Sequence, residues 1–402
     1  MRTTSRPGRL IPALAAAGLT AAAVLASLPA TAARAAVVPN RALFGVAAAS
    51  ARNAWAVGYR YNGTADQTLI EHWNGKTWKQ VHSPSPGGSV RNSELLGVTT
   101  VSARGAWAVG GYAGVTYQHT LIEHWNGKTW RQLHSPGRCG TTGSVNVLNS
   151  VAATSATSAW AVGSGTSCQT GQPATLILHW NGTSWHRAAS VNPGGPGGRA
   201  ELLGVTATSR RNAWAVGDYA AGAGQQPRTL IEHWNGRSWR QVPSPGLSSA
   251  TFESLLTSVT ATSAGRAWAV GLRIKASPHI DTALVLHWNG KSWKQVAARH
   301  PGGTSGDELL GVTAVPRSKT LWAVGDYTDP VLGRDHTLVE RWNGTRWRRV
   351  PSPSPAFPAH EQTLVAADAT GSRNVWAVGS YAEAPALHML FEHWNGKSWR
   401  IR

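Results

Sequence analysis

Acidic residues and long apolar runs are both scarce in this sequence. Its 402 residues include 19 Asp and Glu against 38 Lys and Arg, so the formal net charge is +19. The one extended apolar run, Leu10–Leu28, lies near the N-terminus and is interrupted by Pro12 and Gly18. No later stretch approaches the roughly 20 residues of a membrane-spanning helix. The rest of the chain is therefore expected to have no membrane segment.

The N-terminal run has the features of a secretory signal peptide. Arg2, Arg6 and Arg9 precede it, and Ala33-Arg34-Ala35 offers a small-x-small cleavage site. We expect residues 1–35 to be removed and residues 36–402 to form a single domain that is secreted, extracellular or associated with the cell wall. The signal segment has four Arg and no acid, so the mature part keeps a net charge of +15.

Sequence motifs for cofactor chemistry are also missing. There is no Gly-rich phosphate loop, no zinc-ligand spacing and no nucleophile elbow. The sequence therefore predicts neither a cofactor nor a metal site. Two Cys in an exported chain are compatible with one disulfide. We predict that Cys139 and Cys168 pair and close a loop of roughly 30 residues.

Trp, in contrast, is abundant and periodic. The 21 Trp form seven triplets, whose first members are Trp55, Trp107, Trp160, Trp214, Trp268, Trp322 and Trp376. A repeat of about 50 residues with strand-like segments is typical of propeller blades. The sequence predicts an all-β fold, a seven-bladed β-propeller with four antiparallel strands per blade. The blades are expected at about residues 41–85, 93–136, 146–190, 200–245, 253–298, 307–352 and 362–402.

Four strands can be identified in the fourth repeat. LLGVTAT and AWAVG are joined by a short turn, and TLIEHW and SWRQV are joined at Asn235-Gly236, which predicts a two-residue hairpin turn. Alternation along AWAVG places the large Trp214 on one face and the small Ala213 and Ala215 on the other. Neighbouring blades can then pack closely. We therefore interpret the recurring Trp as core residues.

The repeats resemble the kelch repeat, and so the galactose-oxidase-like propellers. They share an apolar first strand, a second strand that ends in Gly, and a Trp at the head of the fourth strand, over about residues 41–402. The kelch Gly-Gly doublet remains only at Gly110-Gly111. The resemblance implies the fold. It does not carry over a copper radical site, which needs a Tyr cross-linked to a Cys and two central His.

Ring closure is unusual in this repeat arrangement. The repeats begin with strand one, near Leu43, and end with strand four, at Trp399–Arg402, so no blade is shared between the ends. We predict that Ala36–Val38 reinforces the short last strand.

The two ends of the predicted disc differ. Turns one–two and three–four share one end, here called the short-turn face; loops two–three and the blade connectors share the other, here called the variable face. Long, varied loops on a rigid scaffold are the usual binding site. Ligand-binding candidates that follow the second strands are Tyr61, Tyr112, Tyr219, Arg273, Tyr327 and Tyr381. The Tyr could stack on sugar rings or pack against the Pro-rich connectors.

One position of strand three is His in six repeats and Arg341 in the sixth. The six are His72, His124, His179, His233, His287 and His393. Metal ligands would have to converge, which residues of outer strands do not, so we interpret these His as structural. Counted from the turn, His72 is expected opposite Thr77, and Arg341 opposite Arg346.

Catalytic candidates are few. The richest cluster of acids and His is in the sixth repeat and contains Asp326, Asp329, Asp335 and His336. Asp326, Asp335 and His336 are candidates for general acid–base chemistry, with solvated loop residues as the alternative interpretation.

Basic residues recur at matched positions of the strand three–four hairpin. They are Lys76, Lys79, Lys128, Arg131, Arg187, Arg237, Arg240, Lys291, Lys294, Arg346, Arg348, Arg349, Lys397 and Arg400. We expect a basic belt on the outermost strands and the short-turn face. Such a belt could prevent pairing between strand edges, or attract a polyanion through a long-range field. The candidate polyanion-binding residues are Lys76, Lys128, Arg237, Lys291 and Lys397.

These observations predict a secreted, monomeric, non-catalytic binding scaffold. The expected partner is a glycan, an anionic cell-wall polymer or a surface protein, and nothing indicates nucleic acid specifically. A polysaccharide-acting enzyme (glycoside hydrolase or lyase) with acid and base residues on the variable face is one alternative. A purely structural protein-interaction module is the other, because propellers host all three functions.

Overall fold

Each repeat folds into one four-stranded sheet, as seen in a computed structural model that describes residues 40–245, 251–276, 279–355 and 361–402. The first strands of the seven blades are β1 (Arg41–Ser50), β5 (Ser93–Ser102), β9 (Asn146–Ser155), β13 (Arg199–Ser209), β17 (Phe252–Ser263), β21 (Asp307–Ala314) and β25 (Gln362–Gly371). The second strands are β2 (Asn53–Tyr61), β6 (Gly105–Ala113), β10 (Ser158–Thr166), β14 (Asn212–Ala220), β18 (Arg266–Ala276), β22 (Leu321–Thr328) and β26 (Asn374–Glu383).

The outer half of each blade is formed by strands three and four. The third strands are β3 (Asp66–Trp73), β7 (Gln118–Trp125), β11 (Pro173–Trp180), β15 (Arg228–Trp234), β19 (His279–Trp288), β23 (Asp335–Trp342) and β27 (Ala386–Trp394). The fourth strands are β4 (Trp78–Val81), β8 (Trp130–Leu133), β12 (Trp185–Ala188), β16 (Trp239–Gln241), β20 (Trp293–Gln295), β24 (Trp347–Arg349) and β28 (Trp399–Ile401).

The seven sheets form a closed ring. Within each sheet the strands pair antiparallel in chain order. The first strands touch one another around the ring, and β1 contacts both β5 and β25. The predicted fold, an all-β seven-bladed propeller, is confirmed. No helix in the described ranges is long and apolar enough to cross a membrane.

Trp side chains fill each blade junction. Trp214 of blade 4 is 1% exposed, and its ring centroid lies 5.1 and 5.3 Å from those of Trp288 and Trp293 in blade 5. Ala213 and Ala215, on the opposite face of the same strand, pack toward Trp160 of blade 3. Aromatic pairs of this kind add roughly 0.5–1.5 kcal/mol beyond the area that they bury. The interpretation of the recurring Trp as core residues is confirmed.

The repeated Gly was expected to end the second strand, but each second strand continues beyond it. A bulge in the first strand requires this Gly. In blade 4 the register between β13 and β14 shifts between Leu202 and Gly204. The bulge brings the carbonyl oxygen of Glu201 to 2.1 Å from the position that a Cβ on Gly217 would occupy. A side chain there would clash with backbone, so the close approach explains the repeated glycine.

The loop between strands three and four has four residues rather than the two that we predicted. In blade 4, Trp234 pairs with Trp239 and residues 235–238 form the loop. Asn235 Oδ1 accepts the N–H groups of Arg237 and Ser238 at 2.9 and 3.1 Å, and the intervening glycine has φ of +94°. The Asn side chain thus accepts N–H groups that a tighter turn would pair with backbone carbonyls, while the N–H of Asn235 donates to the carbonyl of Ser238 at 3.4 Å.

This longer loop changes the predicted cross-strand partners. His72 lies opposite Lys79 rather than Thr77, and Arg341 lies opposite Arg348 rather than Arg346. The predicted pairs were wrong because they assumed a two-residue turn. His72 and Arg341 each cover the Trp of their own second strand. The rings of His72 and Trp55 are 4.2 Å apart, which supports the structural interpretation of the His.

The junction of blades 7 and 1 closes the ring without a shared sheet. Trp376 packs on Trp73 and Trp78, with centroid distances of 4.9 and 5.0 Å. The carboxylate of Asp368 accepts the N–H of Ala48 at 2.7 Å. The predicted signal peptide and the predicted strand addition by Ala36–Val38 lie outside the described residues.

One disulfide, between Cys139 and Cys168, joins two elements of the variable face. Cys139 lies in the connector between β8 and β9, and Cys168 lies in the loop between β10 and β11. Their Cα atoms are 5.3 Å apart. The predicted pairing is confirmed.

Removal of this disulfide is expected to destabilise the protein. Replacing both Cys with Ala should lower the free energy of unfolding by about 3 kcal/mol, because the unfolded chain regains the entropy of a 29-residue separation. Urea unfolding of the wild type, with and without reductant, and of the double variant measures the difference. Equal midpoints in all three samples would contradict a stabilising role.

Candidate functional site

The predicted ligand-binding residues of the variable face lie mainly between blades. Four of the Tyr occupy one position, two residues after the glycine of the second strand, and each packs against an inter-blade core cluster; they are Tyr112, Tyr219, Tyr327 and Tyr381. Arg273 holds the same position in blade 5, and its guanidinium lies 4.5 Å from the ring centre of Phe252. Tyr61, in contrast, is 37% exposed.

Neighbouring rings cover the faces of three of these Tyr. Tyr112 stacks on His119 at 4.7 Å. Tyr327 and Tyr381 stack on the matching His of their own blades at 5.4 and 5.1 Å. Arg349 Nη2 also donates to the hydroxyl of Tyr327 at 2.5 Å. These side chains are therefore engaged in packing both within their own blades and at the blade junctions.

The catalytic candidates of blade 6 are held in the β22–β23 hairpin. Asp326 is 4% exposed and lies opposite Thr337, whereas Asp335 lies opposite Thr328 two rungs away. Asp335 accepts the Thr328 hydroxyl at 2.6 Å, and His336 is stacked on Tyr327. Nearby, the N–H groups of Leu332 and Val331 lower the pKa of Asp329. Among the described residues, no three His, Cys, Asp or Glu are grouped as a metal site requires.

The structure brings together a different acid–His pair, which the sequence analysis missed. His300 Nδ1 lies 2.8 Å from Asp307 Oδ2, and Asp307, 1% exposed, also accepts the N–H of Ala283 at 3.2 Å. The hydrogen bond to Asp307 raises the pKa of His300. The pair fastens the connector of blades 5 and 6 to the first strand of blade 6. Its residues belong to different elements, so spacing alone gave no signal.

The short-turn face is strongly basic in six of the seven blades. Seven exposed cations lie in the turns between strands one and two, and Arg266 directly follows the turn of blade 5. The seven are Arg52, Arg104, Arg210, Arg211, Arg317, Lys319 and Arg373. Its four-residue hairpin loops supply six more, which are Lys76, Lys128, Arg237, Lys291, Arg346 and Lys397. None of these turns and loops contains an Asp or Glu. We call these fourteen cations the basic face.

The two sets of turns are packed against each other. A Cβ on Gly75 would lie 3.1 Å from the side-chain stem of Arg52, and equivalent contacts join Gly127 to Arg104 and Gly236 to Arg211. The stem of the turn arginine therefore covers the hairpin glycine, and its guanidinium is held on the same corner as the hairpin cation. The turn arginines gave no signal in the sequence because this adjacency joins residues more than 20 positions apart.

The predicted belt is found at both expected locations. The polyanion-binding candidates Lys76, Lys128, Arg237, Lys291 and Lys397 are exposed on hairpin loops of the basic face. Arg346 also lies in a hairpin loop. The other eight residues of the belt are exposed on the outermost strands; they are Lys79, Arg131, Arg187, Arg240, Lys294, Arg348, Arg349 and Arg400. Blade 3 is the neutral corner, where Thr157 and Thr183 replace the cations and Arg210 of blade 4 donates to Thr157.

Comparison with known proteins supports the fold. No protein-family model matches the chain, and no curated protein matches it. Similar solved structures include an ulvan lyase (8% identity, TM-score 0.57, 88% of this chain and 92% of that chain) and a puromycin hydrolase (12%, 0.54, 90% and 53%). The lectin SapL1, solved with α-methyl fucoside, is less similar (13%, 0.44, 74% and 91%). At 8% and 12% identity, the likenesses to the lyase and the hydrolase show the fold alone and assign no family.

Proposed function

We propose that this protein is an extracellular, non-catalytic scaffold that binds an anionic polysaccharide or cell-wall polymer through its basic face. The observation that carries the proposal is the concentration of fourteen exposed cations in turns that contain no carboxylate. A surface of one sign attracts polyanions and guides their approach. The disulfide and the predicted signal peptide support an extracellular location.

Protection of strand edges does not account for the turn cations. Lys and Arg on the outermost strands keep exposed edges from pairing with other chains. The side chains of Arg52, Arg104 and Arg373 belong to turns between strands one and two, where no strand edge is exposed. Their presence therefore favours a role in binding. One of the fold neighbours is a polysaccharide lyase solved with a sugar ligand, which shows that such a fold can present a glycan site.

Replacing four hairpin lysines tests the proposal. The variant Lys76→Gln, Lys128→Gln, Lys291→Gln and Lys397→Gln should bind dextran sulfate at least about fourfold more weakly in low salt, since each exposed ion pair contributes about 0.2–1 kcal/mol. Wild-type binding should weaken steeply between 20 and 150 mM NaCl because salt screens exposed charges. Affinity chromatography and titration calorimetry measure both effects.

A rim variant provides the matched control. Lys79→Gln, Arg131→Gln, Arg240→Gln and Lys294→Gln removes the same number of charges from the outermost strands and should lower the affinity less. Equal losses in the two variants would show that net charge matters and the basic face does not. Release of new reducing or unsaturated ends from the polymer would instead support the enzyme alternative.

A further inference from the structure

A small cavity opens between blades 5 and 6 on the basic face. It has a volume of about 140 Å³, and six of its lining residues are Arg266, Trp268, His287, Ser318, Lys319 and Trp342. This volume approaches the ~150 Å³ of engineered cavities that admit a benzene-sized molecule. The cavity can therefore hold one chemical group of a larger ligand.

One polar atom in the cavity wall lacks the hydrogen-bond partner that the equivalent atom has in three other blades. In blades 1, 4 and 7 the strand-three His bonds through Nε2 to an Asn at the start of the second strand, as His233 does to Asn212 at 2.7 Å. In blade 5 this Asn position is Arg266. The Nε2 of His287 is buried and has no hydrogen-bond partner within the described part of the chain.

The blade 6 side of the cavity is also altered. The turn between β21 and β22 is longer than the equivalent turns, and Arg317 within it has φ of +57°. This turn places Ser318 and Lys319 against the cavity. Exposed cations thus stand on both sides, a hydroxyl and an imidazole line the wall, and no carboxylate is among the lining residues.

We propose that this cavity binds one tetrahedral oxyanion, a sulfate or phosphate ester carried by the anionic polymer. Donors that approach from several directions suit a group with oxygens at tetrahedral corners. A planar carboxylate would suit a single arginine fork better. The inference rests on the proposed function in that it names the charged group that the basic face recognises.

Sulfate and phosphate are distinguished by the choice of polymer. Dextran sulfate presents sulfate esters, poly(glycerol phosphate) presents phosphate esters, and polygalacturonate presents carboxylates. Whichever ester is the ligand, Arg266→Asn should weaken binding of that ester polymer about tenfold, the scale of one charge-assisted hydrogen bond. Binding of polygalacturonate should weaken only about twofold, the scale of one exposed ion pair. The substitution installs the residue found in blades 1, 4 and 7, which the fold accommodates.

Arg52→Asn is the matched control, since it removes one charge from the same face at blade 1. It should weaken binding of all three polymers about twofold. If Arg266→Asn and Arg52→Asn have equal effects on every polymer, the cavity has no special role. Lys319→Ala provides a second variant with the same expectation as Arg266→Asn.

A readout independent of the polymer separates the two proposals. In the unliganded protein, burial and the nearby charge of Arg266 lower the pKa of His287; Lys319 is the other charged group that lines the cavity. A bound oxyanion opposes that shift, so inorganic sulfate or phosphate should move the His287 Cε1–H resonance and raise its pKa. Such a response without polymer binding would overturn the proposed function alone. Polymer binding with no response to either ion would overturn the cavity site alone.

Discussion

Raising the pH from 6.5 to 8 is expected to lower the free energy of unfolding by about 3–6 kcal/mol. One strand-three position carries a buried glutamate in five blades; these are Glu71, Glu123, Glu232, Glu340 and Glu392. Burial raises the pKa of Glu71 and Glu340 to about 7 and that of the other three to about 8. In the unfolded chain these groups are already ionised at pH 6.5. The folded protein therefore binds the extra protons, and its stability falls as they are lost.

The strand-three histidines set the acid side of the profile. Burial lowers the pKa of His72, His124, His233 and His393, the last to about 4. Below about pH 6.5 the unfolded chain takes up protons at these four His that the folded protein does not bind, which offsets most of the gain from the five Glu and flattens the profile. We therefore expect stability to rise from pH 8 to 6.5 and to change much less between pH 6.5 and 5. Urea unfolding between pH 5 and 8.5 measures the profile, and a curve that rises from pH 6.5 to 8 would contradict this account.

Glu392→Leu tests the assignment of the alkaline limb. The equivalent residues in blades 3 and 5 are Leu178 and Leu286, both fully buried, so the site accepts leucine. Both carboxylate oxygens of Glu392 lack a hydrogen-bond partner among the described residues, and no donor there would be left unpaired. The variant should be more stable than the wild type at pH 8 and should lose less stability between pH 6.5 and 8. Parallel curves for the two proteins would show that Glu392 is not one of the titrating groups.

Trp376→Ala is expected to lower the free energy of unfolding by about 3–5 kcal/mol, the cost of a large-to-small change in a packed core. It should also open the ring at one place. Trp376 fills the junction of blades 7 and 1, where it touches Trp73 and Trp78. No connector links these two blades directly, so the junction depends on side-chain packing and on hydrogen bonds such as that from Ala48 to Asp368.

Trp322→Ala serves as the control for ring opening. Trp322 makes the same contacts with Trp394 and Trp399 at the junction of blades 6 and 7, but the chain passes directly from one of these blades to the next. Both variants should lose similar stability, because similar area is exposed. Only Trp376→Ala should accelerate amide hydrogen exchange selectively in β1 and β26. Equal exchange patterns would indicate that the connector adds nothing to closure.

The fold could be predicted because a single residue type marks every blade. The period of the Trp triplets marks the blades. The alternation of Trp and Ala along a strand shows which side chains share a face. Both patterns depend only on local chain geometry. The hairpin register was mispredicted at the Asn-Gly pair. There the Asn235 side chain takes two backbone N–H groups and lengthens the loop, an effect that the dipeptide alone does not reveal.

The candidate site was harder to predict because it depends on contacts between turns. Arg52 and the hairpin loop that carries Lys76 come into contact only when the blade has folded. The cavity at blades 5 and 6 combines two features: Arg266 in place of Asn, which leaves His287 Nε2 without that partner, and the longer turn that carries Ser318 and Lys319. The His300–Asp307 contact likewise joins a connector to a strand. Each is a property of packing between elements, to which sequence periodicity is insensitive.

The confinement of turn cations to one face gives the molecule a permanent electric dipole along the ring axis. Near an anionic surface this dipole produces a torque that turns the disc until the basic face leads. The torque acts over about one Debye length, ~8 Å at physiological ionic strength, so orientation precedes contact. A disc that lands in this way lies flat on the surface. The blade connectors and the loop that carries Cys168 then point outward, where they are accessible to a second molecule at the same time.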